Sequence, residues 1–153
     1  MRLSLEPEKK VTEKLSLAFF KQIARAALLE GLPASLMHKS FVLSAVAVSL
    51  EEIQTLNQTY RGKNAPTDIL SFWNFSNIAE LEGEKNATID LGELFFAPCF
   101  IKQAAREDGV EYRREMAYVF SHGVLHLVGY DHEPEMFRIQ DRITDTYAPL
   151  AKA

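Results

Sequence analysis

Apolar residues recur at helical spacing in several stretches of the chain. The first stretch, 12–30, predicts a helix with Thr12 as its N-cap, because apolar positions repeat every three to four residues. Ser49 and Glu52 form a capping box that predicts a second helix, running to about residue 60. Later stretches predict three more helices, at 98–108, 111–128 and 133–150.

Strands are predicted where short apolar runs are rich in β-branched residues or alternate with polar ones. These runs are 2–6, 41–48, 69–75 and 88–97. The last two read as a hairpin-like pair, and Gly92 indicates a bulge or a close backbone approach. Segment 77–87 is acidic, and we expect an exposed spacer. Because helices and strands neither alternate strictly nor segregate, we predict a single α+β domain over 1–153, with a mixed sheet of about four strands surrounded by helices.

Composition narrows the protein class. With 47% hydrophobic and 25% charged residues, the chain reads as a soluble globular domain. No secretory h-region and no run near the length of a membrane span are found, so we expect a cytoplasmic protein without membrane contact. The net charge of −4 argues against a domain that coats nucleic acid nonspecifically. The lone cysteine, Cys99, is predicted to be a small buried apolar residue.

Two groups of basic residues could still bind a polyanion locally. One is Arg61 with Lys63, in a loop whose glycine and proline fix its backbone. The other comprises Lys102, Arg106, Arg113 and Arg114. Acidic neighbours surround the second group, so we interpret it as ordinary solvated charge. Glu115 is interpreted in the same way.

Three of the four histidines lie within 122–132. His122 and His126 are four residues apart, which places both side chains on one face of a helix. Gly129 is predicted to end that helix, and the reversed chain then brings His132 back toward the other two. Three imidazoles that converge are a ligand set for Zn²⁺, which in catalytic sites leaves a fourth position for water. The alternative is that two of these histidines pack in the core and the third lies in a loop.

The same spacing of histidines and glycine occurs in the metzincin signature, so the predicted helix is zincin-like. That signature places a glutamate directly after the first histidine as a general base, and here the position is Gly123. The metal geometry is therefore kept, while peptidase chemistry is not supported. The fourth histidine, His38, is interpreted as unrelated to the cluster.

Two long segments of the chain resemble the bacterial YbeY family of endoribonucleases and ribosome-maturation factors. These segments are 121–132, which reads SHGVLHLVGYDH, and 57–72, which reads NQTYRGKNAPTDILSF. A third, Leu-Gly-Glu-Leu at 91–94, looks like the Leu-Gly-Asp strand segment of the family. The chain departs from the family pattern at Trp73, where proline is usual, and at Glu93, which replaces the aspartate.

The resemblance implies a zinc-dependent endoribonuclease acting on single-stranded RNA, with one zinc held by His122, His126 and His132. It further implies work in 3′-end processing of 16S ribosomal RNA and in ribosome maturation and quality control. The partners it implies are the small ribosomal subunit and an assembly GTPase. The functional arginine of the family falls on Arg61. The resemblance leaves the oligomeric state open.

These residues are compatible with cleavage of a phosphodiester bond. Zinc lowers the pKa of bound water to about 7, and Arg61 can grip a phosphate with two donors. Asp131 has two readings: it accepts an N–H from a coordinating histidine, which we favour, or it transfers a proton. The aromatic residues Phe72, Trp73 and Phe75 could stack on bases or pack in the core.

Two other functions remain open from the sequence. The histidine cluster alone would equally suit a zinc hydrolase of peptides or small molecules. The net acidity keeps open a third hypothesis, a metal-stabilised ribosome-binding assembly factor with little catalysis.

Overall fold

A computed structural model of the chain describes residues 1–11, 14 and 16–150. Within them lie four strands, β1 Arg2–Lys9, β2 Ser40–Ala47, β3 Ile69–Trp73 and β4 Thr88–Phe96. The helices are α1 Leu17–Gly31, α2 Leu50–Arg61, α3 Ile78–Glu82, α4 Pro98–Asp108, α5 Tyr112–Leu127 and α6 Pro134–Tyr147. None of these helices has the length and apolar character that a membrane-crossing segment requires.

The four strands form one mixed sheet in the order β1-β2-β4-β3. Strands β1, β2 and β4 run parallel, and β3 pairs antiparallel with β4. The predicted α+β architecture and mixed four-stranded sheet are confirmed. Strand β3 lies at one edge of the sheet, so one side of its backbone is free to bond with side chains rather than with another strand.

Gly92 lies where β4 departs from regular pairing. The register against β2 shifts between Val42 and Leu43, which leaves Leu91 as an extra residue in β4. Gly92 has a φ of 125°, and a Cβ there would come within 2.1 Å of the Phe72 carbonyl oxygen. The bulge and the close backbone approach predicted from the sequence are both confirmed.

Buried side chains form two clusters. The larger contains residues of α1, α5 and α6 together with sheet residues such as Phe41 and Leu94. The smaller includes Ile53 of α2 and Leu70 of β3. More than half of the residues of helix α5 are buried, and this helix carries two of the histidines.

Helix α1 begins later than predicted. Its N-cap is Ser16, whose hydroxyl oxygen accepts a hydrogen bond from the Phe19 backbone N–H at 3.2 Å, rather than Thr12. Thr12 itself lies outside the described residues. Ser16 was not considered as a cap in the sequence, although its hydroxyl has the same capping chemistry as that of Thr12.

Two predictions on burial need correction. Segment 77–87 is mostly exposed, as predicted, but it is more than a spacer, because it contains α3 and the fully buried Leu81. Cys99 is exposed, although its sequence neighbours are apolar. Pro98 begins α4, and the helical turn directs Pro98 and Ile101 into the core while Cys99 faces solvent.

Candidate metal site

Helix α5 and the turn after it bring the three histidines together. His122 and His126 lie one turn apart on α5, and the chain reverses at Gly129, which has a φ of 97°. A Cβ at Gly129 would lie 2.7 Å from the Asn77 Cα, so both conformation and space require glycine there. The turn is held by Tyr130, whose hydroxyl donates to the Gly31 carbonyl at the end of α1 at 2.9 Å.

The ring nitrogens of the three histidines converge. The Nε2 atom of His122 lies 2.9 Å from that of His126 and 3.2 Å from that of His132. One ligand nitrogen from each residue lies within 4.8 Å of the other two, so the three residues can hold a metal ion. His122 and His126 are half-buried, while His132 is exposed.

Hydrogen bonds at the far side of two rings fix their tautomers. The Nδ1 of His126 lies 2.8 Å from the Tyr130 carbonyl oxygen, which can only accept. The Nδ1 of His122 lies 3.3 Å from the Gln140 side-chain oxygen. The oxygen and nitrogen of the Gln140 side-chain amide cannot be exchanged without losing a hydrogen bond, because the nitrogen donates to the Tyr118 carbonyl at 3.1 Å. Both Nδ1 atoms therefore carry the hydrogen and donate it.

This tautomer assignment tests whether a metal fits the site. With hydrogen on Nδ1, the Nε2 atoms of His122 and His126 present lone pairs to each other across 2.9 Å. Two facing lone pairs repel, and a cation shared between them removes the repulsion. Each ligand histidine in a metal site usually donates its other N–H to a carbonyl or amide in this way. The donor set consequently fits a metal such as Zn²⁺.

Burial keeps both of these imidazoles neutral. It lowers the pKa of His122 to about 4, with a further contribution from the neighbouring His126. Burial also lowers the pKa of His126, and the charges of His132 and Arg61 act in the same direction. Metal binding needs the neutral imidazole, so the two rings are in the ligand form at neutral pH.

An open cavity of about 570 Å³ lies over the histidines. Its other walls include Arg61 from the end of α2, Asp68 from the following loop, and Ser71 and Trp73 from β3. The two regions that resembled one family in the sequence, 57–72 and 121–132, therefore line one cavity. The histidines with zincin-like spacing on α5 and the segment that follows Arg61 contribute to the same cavity.

Arg61 is held at the free edge of β3. Its Nη2 donates to the Ser71 carbonyl at 2.9 Å, and its guanidinium carbon lies 5.0 Å from the centre of the Phe72 ring. Gly62, with a φ of 71°, ends α2 directly after it. The buried Asn57 donates to the Ala65 carbonyl at 2.9 Å and so fixes the loop that follows.

Asp131 is exposed at the cavity rim. Its Oδ1 accepts the backbone N–H of His132 at 2.8 Å but lies 4.0 Å from the Nδ1 of that ring. The ring N–H groups of His122 and His126 are instead donated to Gln140 and Tyr130. A role for Asp131 beyond fixing the turn stays a prediction.

Two polar residues near the site were missed in the sequence. Gln140 is fully buried in α6, where a polar residue among Met136, Ile139 and Ile143 was the available signal. Asp68 closes the Arg61 loop, and its Oδ1 accepts the Ile69 backbone N–H at 2.7 Å. Burial raises the pKa of Asp68, so its carboxyl group holds a proton more readily than a solvated one.

Gly123 faces the sheet rather than the cavity. A Cβ there would lie 2.5 Å from Ile69 Cδ1 and 3.1 Å from Leu94 Cδ2. A glutamate at this position would have to displace the side chains of Ile69 and Leu94, which are buried. The glycine is explained by close packing of α5 on the sheet.

The histidine, the basic group and the glutamate that were interpreted as unrelated to the site do not line the cavity. His38 is exposed and does not line the cavity. The prediction of solvated charge was wrong for Arg114, which pairs with Asp145 at 2.8 Å. Glu115 is half-buried, and burial raises the pKa of its carboxyl group.

The three aromatic candidates divide between stacking surface and core. Trp73 is exposed at the cavity wall. Phe72 packs on Tyr60 and Phe95, and Phe75 packs against the larger core cluster.

Comparison with known proteins agrees with this geometry. A family model described as Endoribonuclease YbeY matches residues 6–148. A Bacillus pumilus protein named Endoribonuclease YbeY is 39% identical over 118 residues, covering 69% of this chain and 71% of its own. One of the same name from Geobacillus thermodenitrificans is 36% identical over 135 residues, or 79% of each chain. The solution structure of TM1509 from Thermotoga maritima shares the fold, with a TM-score of 0.59 over 94% of this chain and 89% of its own at 24% identity.

Proposed function

Because this chain belongs to the YbeY family of endoribonucleases, we propose that it cleaves single-stranded RNA with a zinc ion held by His122, His126 and His132. The observation that carries the proposal is the 2.9 Å approach of the Nε2 atoms of His122 and His126 while Gln140 and Tyr130 engage the Nδ1 atoms, an arrangement that a shared cation stabilises. Arg61 lines the same cavity and supplies the charge that a phosphate requires.

The histidines and the arginine divide the chemistry between them. A bound zinc ion would supply Lewis acidity and a water whose pKa falls to about 7. The Nδ1–H bonds to Gln140 and Tyr130 hold the two half-buried rings in the ligand orientation. With no glutamate after His122, the site depends on the metal for an ionised water rather than on a neighbouring general base.

Arg61 would bind the scissile phosphate. Its guanidinium has five N–H donors, and its bonds to the Ser71 and Tyr60 carbonyls use only part of them. The bond to Ser71 fixes its position along β3, so the remaining donors are already ordered when a phosphate arrives. A preordered cation stabilises the charge that builds on the phosphate oxygens as the bond breaks.

The finer assignment rests on the family resemblance alone. We propose 3′-end processing of 16S ribosomal RNA during maturation of the small subunit, with the activity in the cytoplasm. The partners on this proposal are the small ribosomal subunit and an assembly GTPase. A peptidase is the weaker alternative, because Gly123 faces Ile69 and Leu94 instead of the metal site.

The test combines elemental analysis for metal with cleavage of a fluorescent single-stranded RNA, on the same samples. The parent protein should carry about one zinc per chain and cleave, and His126→Ala should lose both. His38→Ala is the matched control, since His38 lies outside the cavity, and it should retain both. Arg61→Ala should keep its zinc and lose roughly 10²- to 10³-fold in turnover.

Two outcomes would contradict the proposal. A zinc-loaded protein that cleaves no RNA would remove the nuclease function. Full turnover in Arg61→Ala would remove Arg61 from the mechanism while leaving the metal site intact.

A further inference from the structure

Trp73 stands out among the aromatic residues of β3 because it lies open at the wall of the cavity. We propose that its indole ring is a stacking platform for one nucleobase of the RNA, next to the phosphate that Arg61 binds. This inference rests on the proposed function and adds a binding subsite to it.

The alternation of side chains along β3 places Trp73 on the histidine side of the sheet. The Ser71 hydroxyl donates to the Gly123 carbonyl at 3.0 Å, one residue from His122. Residues two apart in a strand share a face, so Trp73 points to the same side as Ser71. A strand rises about 3.3 Å per residue, which puts Trp73 about 7 Å further along the cavity.

The backbone leaves this indole ring uncovered. Strand β3 is at the sheet edge, so Trp73 has a cross-strand neighbour on one side only, and that neighbour is Gly92. Any side chain at position 92 would collide with the backbone, because even a Cβ would lie 2.1 Å from the Phe72 oxygen. No cross-strand side chain packs beside the tryptophan, and it stays 50% exposed.

The preceding residue shows that such exposure is not general on this strand. Phe72 points to the opposite face, where its ring centre lies 5.2 Å from that of Tyr60 and 5.6 Å from that of Phe95. It is half-buried in an edge-to-face aromatic cluster. On that face Phe72 has two aromatic partners, whereas Trp73 presents a large flat ring to solvent on the cavity face.

The Arg61 guanidinium lies over the Trp73 ring, with its carbon 5.9 Å from the ring centre. The cation meets one side of the indole, and the exposed remainder of the ring is left for a base. A nucleotide offers a negative phosphate and a flat base joined by one sugar, which matches an arginine beside an exposed indole. Base–aromatic stacking tolerates any base, since every base has a π-face, so we expect affinity without strong sequence preference.

The experiment uses the fact that Trp73 is the one tryptophan in the sequence. The zinc-loaded protein is rapidly mixed with a short labelled single-stranded RNA, and indole emission and label anisotropy are read before cleavage proceeds. A base stacked on Trp73 should quench the emission in proportion to binding. An oligomer of the same length with abasic sugars keeps the phosphates, and it should bind more weakly without quenching.

Variants give a second measurement. Trp73→Ala should weaken RNA binding by roughly 5- to 150-fold, the range expected for one lost stack. It should raise KM far more than it lowers kcat, with zinc content and melting temperature unchanged. Trp73→Phe keeps a flat ring and should restore most of the affinity. Leu29→Ala is the control, since Leu29 is 47% exposed on α1 and lies outside the cavity.

The possible failures can be told apart. Binding by anisotropy with no change in emission, or full affinity in Trp73→Ala, would overturn the stacking platform and leave the nuclease proposal standing. Equal quenching by the abasic oligomer would overturn it too, because phosphate contact alone would then explain the signal. Absence of any RNA binding would overturn both proposals.

Discussion

Two hydrogen bonds decide which nitrogen of each half-buried histidine is free. His126 donates from Nδ1 to the Tyr130 carbonyl at 2.8 Å, a partner that any residue at position 130 would supply. His122 depends on the Gln140 side chain, which is fully buried between the ring and the Tyr118 carbonyl. At the scale of single residues, Gln140 is therefore the side chain that orients a metal-site histidine and that a substitution can remove.

Replacing Gln140 with leucine tests this support. The side chain keeps about the same size but can no longer accept the His122 Nδ1–H, so the ring loses its fixed tautomer. We expect zinc affinity to fall by about 10- to 100-fold, the usual effect of losing such an outer partner. Competition with a chromophoric chelator would measure the change.

Thr144→Val is the matched control for that substitution. Thr144 is also buried in α6, but its hydroxyl bonds only to the Gln140 backbone carbonyl, at 2.7 Å, among the contacts described. It should lose some stability and keep its zinc affinity. Unchanged zinc binding in Gln140→Leu would show that the His122 ring needs no partner at Nδ1.

At the scale of elements, the site depends on how closely α5 approaches β3 and β4. Gly123 allows the approach, and the bond from the Ser71 hydroxyl to its carbonyl at 3.0 Å fixes it. The helix face that carries His122 and His126 therefore lies next to β3. Arg61, at the end of α2, donates to the backbone at the free edge of that strand. One substitution at Gly123 should disturb the packing of these two elements.

The substitution Gly123→Glu restores the metzincin residue but should not create a peptidase. Its side chain would enter the core against Ile69 and Leu94, which are buried. Overpacking and a buried carboxylate together should lower the free energy of unfolding by about 3 kcal/mol or more. Urea unfolding and a peptide hydrolysis assay are the measurements.

Gly83→Glu provides the comparison, because Gly83 is exposed and its Cβ would meet nothing closer than 3.5 Å. It should change the free energy of unfolding by less than about 1 kcal/mol. A Gly123→Glu protein as stable as its parent would mean that α5 does not pack on the sheet as described. New peptidase activity would mean that position 123 reaches the metal.

At the scale of the whole molecule, the core is built from apolar residues outside the histidine cluster. The larger cluster includes Ile23 of α1, Phe120 of α5 and Ile139 of α6, all of them buried. By contrast, the histidines lie at the cavity, and His132 is on an exposed turn. A metal there should add to the stability of a domain that is already folded.

Removing the metal should therefore abolish cleavage without unfolding the protein. The chelated protein should keep its far-UV circular dichroism and a cooperative thermal transition. Zinc at about 100 times its Kd should stabilise the fold by about 2.7 kcal/mol, which raises the Tm by roughly 5–10 °C. Loss of the helical signal on chelation would instead identify a structural metal site.

The sequence by itself determined features that depend on short separations along the chain. The capping box at Ser49, the glycine stop at Gly62 and the spacing of the three histidines each involve residues within about three helical turns of one another. Local backbone geometry and hydrogen bonding govern such features, so the strands, most helix ends and the candidate ligands could be predicted. The choice of Ser16 over Thr12 shows the limit, because two nearby residues had the same capping chemistry.

Only the tertiary structure decided which distant residues share the cavity. The buried partner of His122 is Gln140, eighteen residues away, and no local rule links them. The exposure of Trp73 follows from the sheet order and from Gly92 as its neighbour, and the exposure of Cys99 from the orientation of α4. Burial and contact are properties of packed elements, so a residue type and its sequence neighbours cannot fix them before the elements come together.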